Sequence, residues 1–153
     1  MSDLISQADM IRSMSFEAIE RVRALEEITA QMEQAEITTW HVLHGGVYSR
    51  TIEIKAGVVL TGALVKIPTV LVVSGDVSVF ANDQEVRVTG YSVLPASPNR
   101  KQAFIAHEDT WLTMTFRTDA STVEDAENEF TEEADRLMSR HDQATNYINI
   151  TGE

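Results

Sequence analysis

Histidine is the side chain that changes charge near neutral pH, and this chain carries four, so candidate acid–base chemistry starts there. His41 and His44 flank Val42-Leu43 ahead of Gly45-Gly46. On a strand that spacing sends them to opposite faces, a poor geometry for sharing one ion, and both are expected as surface or turn residues. His107 has Glu108 and Asp109 beside it and is the single weak candidate for a general base. No nucleophile or second base pairs with it in the sequence, and the alternative is a turn between strands with an acidic partner for the ring. His141 lies in a polar stretch and is expected to carry no chemistry.

The cations form the more informative set. Tyr48, Arg50, Ile52 and Ile54 alternate with Ser49, Thr51, Glu53 and Lys55, so the Arg50 guanidinium shares whichever face Ile52 and Ile54 bury. With Lys66, Arg100 and Lys101 it would suit a carboxylate or phosphate, which guanidinium and ammonium groups recognise by charge-assisted hydrogen bonds. Tyr48, Arg50, Lys66, Arg100, Lys101 and His107 are therefore the candidate ligand-binding residues. The alternative pairs Arg50 with Glu108 or Asp109 and leaves Arg100 and Lys101 as solvated loop charges.

Three kinds of segment position these side chains. Up to residue 40 the chain reads as helical: Leu4, Ile11, Ala18, Leu25 and Met32 recur every seven residues, and neither Gly nor Pro occurs before Gly45. The repeat predicts helix over 4–32, in one piece or broken near Ser13 and Ser15, packed on its own domain or on a second subunit. Residues 41–118 are strand-rich, with turns expected at Gly75-Asp76, Asn82-Asp83 and around Gly90, Pro95 and Pro98. Short strands at such spacing indicate a sandwich or barrel. Residues 119–153 return to helix: Thr122 and Asp125 resemble a capping box, Val123, Ala126, Phe130, Ala134 and Leu137 form one apolar face, and Arg136 and Arg140 sit near its end. The stretch from His141 onward reads as a loose polar tail.

Length and composition bound the function. The chain has 153 residues, enough for one self-supporting core, and no cysteine, hence neither disulfides nor thiolate metal sites. Its net charge of −12 is concentrated in the flanks: −5 over residues 1–40, +1 over 41–118 and −8 over 119–153. That field repels nucleic acid and anionic membrane. The first residues lack the basic start and apolar run of a signal peptide, and no apolar run could span a bilayer, so a soluble cytoplasmic protein is expected. Phosphate-binding glycine loops, nucleophile elbows and HExxH motifs do not occur.

The segment from Tyr48 to Phe116 resembles the cupin superfamily. The first cupin motif, laid on Gly57, places its two histidines at Ala63 and Val65 and its glutamate at Thr69 or Val70, closing near Gly75. The second, laid on Gly90 and Pro95, places its glycine at Ser97 and its histidine at Arg100. The resemblance implies a mainly β fold with flanking helices, a cupin-like (RmlC-like) β-barrel with N- and C-terminal α-helices. It also implies no metal and no other cofactor, because alanine and valine offer no lone pair and arginine is a fixed cation. The chain is also similar to cupin-like proteins of phages and prophages, in GVYSRTIEIKAGVVLTGALVKIP, VSGDVSVF and TGYSVLPASPNRKQAFIAHEDTWLTM, over about two-thirds of its length.

The leading expectation is thus a metal-free, non-catalytic protein of phage type. It would act by homo-oligomerisation, a dimer being favoured, and by binding a phage or host protein, in the host cytoplasm or the virion. Two alternatives stand beside it. One is a binder of a small anionic ligand at a cationic barrel mouth. The other is a metal-independent isomerase or epimerase using His107 with Tyr91 or Tyr48, since sugar-nucleotide epimerases on this fold work without metal.

Overall fold

A computed structural model describes residues 6–7, 9–82 and 84–152. The chain builds a mainly β half-barrel with short flanking helices. Its strands are β1 (Ser6–Gln7), β2 (Thr38–His44), β3 (Val47–Ile54), β4 (Val59–Thr61), β5 (Thr69–Ala81), β6 (Gln84–Ala96), β7 (Ala103–Ala106), β8 (Thr110–Arg117) and β9 (Thr145–Ile150). The helices are α1 (Phe16–Thr29) and α2 (Val123–Phe130). None of the described helices is long and apolar enough to cross a membrane.

The main sheet runs β1-β6-β5-β8-β3-β2-β9. β5 pairs with β6 along its whole length, but its other edge changes partner. Val70–Ser74 pair with β8, and Val77–Phe80 pair with β7, which in turn carries β4. The sheet forks at Gly75, expected as a turn but found in mid-strand with φ +144°. A Cβ there would sit 2.7 Å from the Thr110 Cα and 2.8 Å from the Asp109 carbonyl oxygen, so only glycine lets the two branches part so closely. Beyond the fork a ribbon continues, with Gly62 N–H donating to Gln102 O and Val65 N–H to Arg100 O.

Alternation sets the inward face of these strands. Tyr48, Arg50 and Ile54 on β3, Leu112 and Phe116 on β8, and Leu71, Val73, Val77 and Val79 on β5 are all buried. They feed two apolar clusters, one around Val73 and Leu112 and one around Tyr48, Phe116 and Phe130.

The N-terminal segment departs from the heptad reading. Among the described residues of that segment, helix covers Phe16–Thr29, capped by the Ser15 hydroxyl, which accepts from Ala18 N–H at 3.1 Å. Upstream backbone donors are taken by the sheet and its following loop: Ile11 N–H reaches Pro95 O and Met14 N–H reaches Asn99 O. These bonds replace the helical ladder, so the seven-residue spacing through Ile11 is not a stripe. Leu4 lies outside the described residues; Ala18 and Val22 are buried, Leu25 is half-buried, and Met32 is 63% exposed.

The C-terminal segment is also corrected. Thr122 caps α2 as expected, its hydroxyl accepting from Asp125 N–H at 3.1 Å. The helix stops at Phe130, where Thr131 turns extended, and two 3-10 turns follow at Ala134–Arg136 and Met138–Arg140. The stretch read as a loose tail forms β9, parallel to β2 from Thr38↔Thr145 to Leu43↔Ile150. Pairing with β2 supplies its backbone with the partners that its own polar sequence does not announce.

Candidate functional site

Between the main sheet and the 59–65/100–106 ribbon lies a cavity of about 160 Å³. Its floor is apolar: Ile52 from β3, Leu112 and Met114 from β8, Leu71 from β5, Leu60 from β4 and Phe104 from β7. Arg50, Arg100, Lys101 and Arg136 reach it, as do Glu26 and Glu133. The walls grade from buried Arg100 and Lys101 to Arg136, whose side chain is 55% exposed, so that end meets solvent. Ala63, Val65 and Arg100, the positions that the sequence resemblance assigned to metal-binding histidines, all line this cavity, and Thr69 is bonded to Arg100. Among the described residues no three His, Cys, Asp or Glu side chains gather to hold a metal ion.

Arg100 is the unusual group. It is 3% exposed, and its partners are neutral: Nη1 donates to Ser97 O at 2.6 Å and Ile67 O at 3.4 Å, and Nη2 to Thr69 Oγ1 at 2.7 Å, with Met114 Sδ at 3.9 Å. Among the described residues no carboxylate forms an ion pair with it. Burial lowers its pKa to about 10, which leaves it a cation at neutral pH. The alternative of a solvated loop charge does not hold, because Arg100 is buried where its backbone bridges Val65.

Lys101, expected in the same solvated loop, is 1% exposed. Its Nζ donates to Glu26 at 3.0 Å, Glu133 at 3.2 Å and Gly62 O at 2.9 Å. Burial works against ionisation of Glu133, yet the Leu64 N–H, Arg23 and Lys101 together hold its carboxyl down at about 2. Arg23 reaches Glu133 at 2.6 Å and Arg136 reaches Glu26 at 3.2 Å, so ion pairs tie α1 to the C-terminal segment over the cavity.

Arg50 does point inward, but its partner is neither Glu108 nor Asp109. Nη1 donates to Glu127 at 2.6 Å and Nη2 to Ser139 at 2.9 Å, while Arg140 reaches the other Glu127 oxygen at 2.9 Å. Burial alone would push the Glu127 carboxyl up; the hydrogen bonds from Arg140, Ser139 and Arg50 and the charge of Arg50 hold it below the usual range. Tyr48 is fully buried, and its hydroxyl lies 3.4 Å from Arg50 and 2.8 Å from His41 Nδ1. His41, expected at the surface, is 2% exposed, and its Nε2 meets Asn146 Oδ1 at 2.7 Å. Asn146 donates its amide to Ser139 O, which fixes its oxygen toward the histidine. His41 is then neutral with the proton on Nε2, and burial lowers its pKa. His44 faces the other way, bonded to Thr151.

Two candidates lie elsewhere. Lys66 pairs with exposed Glu132 at 2.5 Å and is not a cavity wall. His107 is exposed at the β7–β8 turn, its Nε2 2.7 Å from Ser78 Oγ. This hydroxyl is a partner that the sequence did not reveal, but Ser78 is fully buried, so its oxygen is closed to a substrate.

Sequence reasoning missed Glu26, Gln102, Glu127 and Glu133. Gln102 also lines the cavity, and its amide Nε2 is buried with no hydrogen-bond partner among the described residues. The one available signal was its place two residues after Arg100, on the same side of an extended segment.

No family model and no curated protein matches the chain. Among solved structures it is similar to a cupin superfamily protein from Desulfitobacterium hafniense, at 12% identity and TM-score 0.47, over 60% of this chain and 88% of that one. It is also similar to KdgF from Halomonas sp., at 17% identity and TM-score 0.46, over 59% and 87%. The cupin domain of Schizosaccharomyces pombe Cnp3 matches at 16% identity and TM-score 0.44, over 59% and 71%. At such identities no residue role carries over.

Proposed function

We propose that the protein is a non-catalytic binding protein that takes a small anion into its cavity, anchored by Arg100. The observation that carries this reading is Arg100, a buried cation among the cavity-lining residues that has no carboxylate partner among the described residues. A buried charge without a counter-charge is costly, and an anionic ligand would supply one. Arg50 and Lys101 belong to the same wall but are already matched by Glu127, Glu26 and Glu133. Lys66 and His107 take no part, and nothing in the geometry supports an isomerase built on His107. Ligands that bind only the folded state raise its melting temperature. A panel of small carboxylates, phosphates and sugar nucleotides should therefore contain at least one stabilising anion, and a panel with no thermal shift overturns the reading.

Self-association is a second reading, favoured by the outer sheet face. Tyr91 and Val93 on β6, Val70 on β5 and Trp111 on β8 are 73%, 55%, 46% and 40% exposed. The pairs Ser74↔Tyr91, Val72↔Val93 and Ser74↔Trp111 place them in one patch across three neighbouring strands. Two-fold association is the commonest way to cover such a patch. A phage setting, with a phage or host protein as partner, rests on the sequence resemblance alone. Sedimentation at micromolar concentration should show a dimer that Val93→Glu dissociates; a monomer in wild type sinks this second reading.

A further inference from the structure

We infer that the cavity takes a monocarboxylate with a compact apolar body of about benzoate size, its carboxylate held by Arg100 and Gln102. This rests on the small-anion reading above and narrows it from three sides.

The first is charge. Each cavity cation except Arg100 has a carboxylate already: Arg50 has Glu127, Lys101 has Glu26 and Glu133, and Arg136 has Glu26. Arg100 is thus the cavity cation without a carboxylate of its own among the described residues, and one negative charge on a ligand would supply it. A phosphate dianion would carry a surplus into a space where Glu26 and Glu133 already present carboxylates. The low pKa of Glu133, about 2, means that it does not take up a proton to make room.

The second is donor geometry. Ser97 O, Ile67 O, Thr69 Oγ1 and Met114 Sδ engage both Nη atoms of Arg100, which orients the guanidinium without neutralising its charge. Gln102 brings a buried amide N–H with no partner of its own. Arg100 and Gln102 both line the cavity, so one carboxylate there could accept from both. A neutral ligand of the same shape would leave the guanidinium uncompensated.

Size and wall chemistry are the third. A space of about 160 Å³ matches the roughly 150 Å³ apolar cavities that accept benzene. Ile52, Leu60, Leu71, Phe104, Leu112 and Met114 offer an apolar floor against which a compact apolar body can pack.

The test is titration calorimetry of the full chain with benzoate, benzyl alcohol and inorganic phosphate. Benzoate should bind, with benzyl alcohol and phosphate each at least tenfold weaker. Arg100→Met should weaken benzoate at least tenfold, the share expected of one charge-assisted bond. Leu60→Phe, which keeps the anchor and fills the floor, should also weaken benzoate, and it carries the test if Arg100→Met does not fold. Phosphate binding without benzoate binding overturns this inference and leaves the small-anion reading standing. Equal binding of benzoate and benzyl alcohol overturns both, because the cavity would then be blind to charge. Failure of both benzoate and phosphate overturns this inference, and a thermal-shift panel without a stabilising anion then removes the small-anion reading itself.

Discussion

Glu127 shows how much a single residue can hold. Its carboxylate is 3% exposed and bonds Arg50, Arg140 and Ser139, so it joins β3 to α2 and to the turn that leads into β9. Breaking a buried pair by removing one partner leaves the other charge stranded, at a cost of about 3–5 kcal/mol. Glu127→Gln should approach that loss in urea unfolding. Glu132→Gln, whose pair with half-exposed Lys66 is solvated, should cost less than about 1 kcal/mol. Equal losses would mean that burial does not set the value of these pairs. Gly75 is the backbone counterpart. Gly75→Ala forces a Cβ against Thr110 and Asp109 at a φ that L-residues avoid, and should cost about 3 kcal/mol or more by overpacking and strain. A wild-type unfolding midpoint for that variant would disprove the fork as a close-packed point.

At the scale of elements, α1 is a roof that packs through one short face. Met14, Ala18 and Val22 are buried together, whereas Ile28 and Met32 are each 63% exposed. Val22→Asp should therefore destabilise by several kcal/mol, since a charge enters an apolar contact, while Met32→Asp should change the melting temperature little. Equal effects would restore the long stripe read from the sequence. That contrast shows what was legible. Alternation in 48–54 exposed the inward face of β3, and with it the direction of Arg50, because the period of a strand is local. The cap at Thr122 was legible for the same reason. The seven-residue repeat misled, since the sheet, and not the helix, claims the backbone of Ile11 and Met14. Glu127 lies 77 residues from Arg50 and Asn146 lies 105 from His41, separations that no local pattern encodes. β9 escaped notice because its partner strand, more than its own side chains, makes it a strand. For the candidate site, the motif resemblance brought Ala63, Val65 and Arg100 to one place, but the matching acids came from α1 and the C-terminal segment.

Over the whole molecule, the acidic flanks fold back onto the half-barrel, and their carboxylates make stability depend on pH. For each group the sign follows from which state binds more protons. His41 is buried as the neutral ring and its pKa is lowered, so below its ordinary value of 6.5 the unfolded chain takes up a proton that the folded one refuses. Stability from that group is complete above about pH 6.5 and declines as pH falls past it. Glu127, lowered from 4.5, and Glu133, lowered to about 2, are protonated more readily when unfolded. Their contribution is complete above about pH 4.5 and is lost as pH falls toward 2. Net charge acts in the opposite direction between neutrality and the pI near 4.6, where the repulsion of −12 charges fades. Buried His41 bonds half-buried Asn146 and so ties β2 to β9, whereas most of the repelling charges are solvated and screened by salt. In 0.15 M salt the local term should win. The melting temperature should then fall gently from pH 7 to 5 and steeply below 4.5, and His41→Gln should flatten the upper part of the curve without moving the lower. A melting temperature that rises steadily from pH 7 to pH 5 would show that general charge repulsion, and not the buried histidine, governs that range.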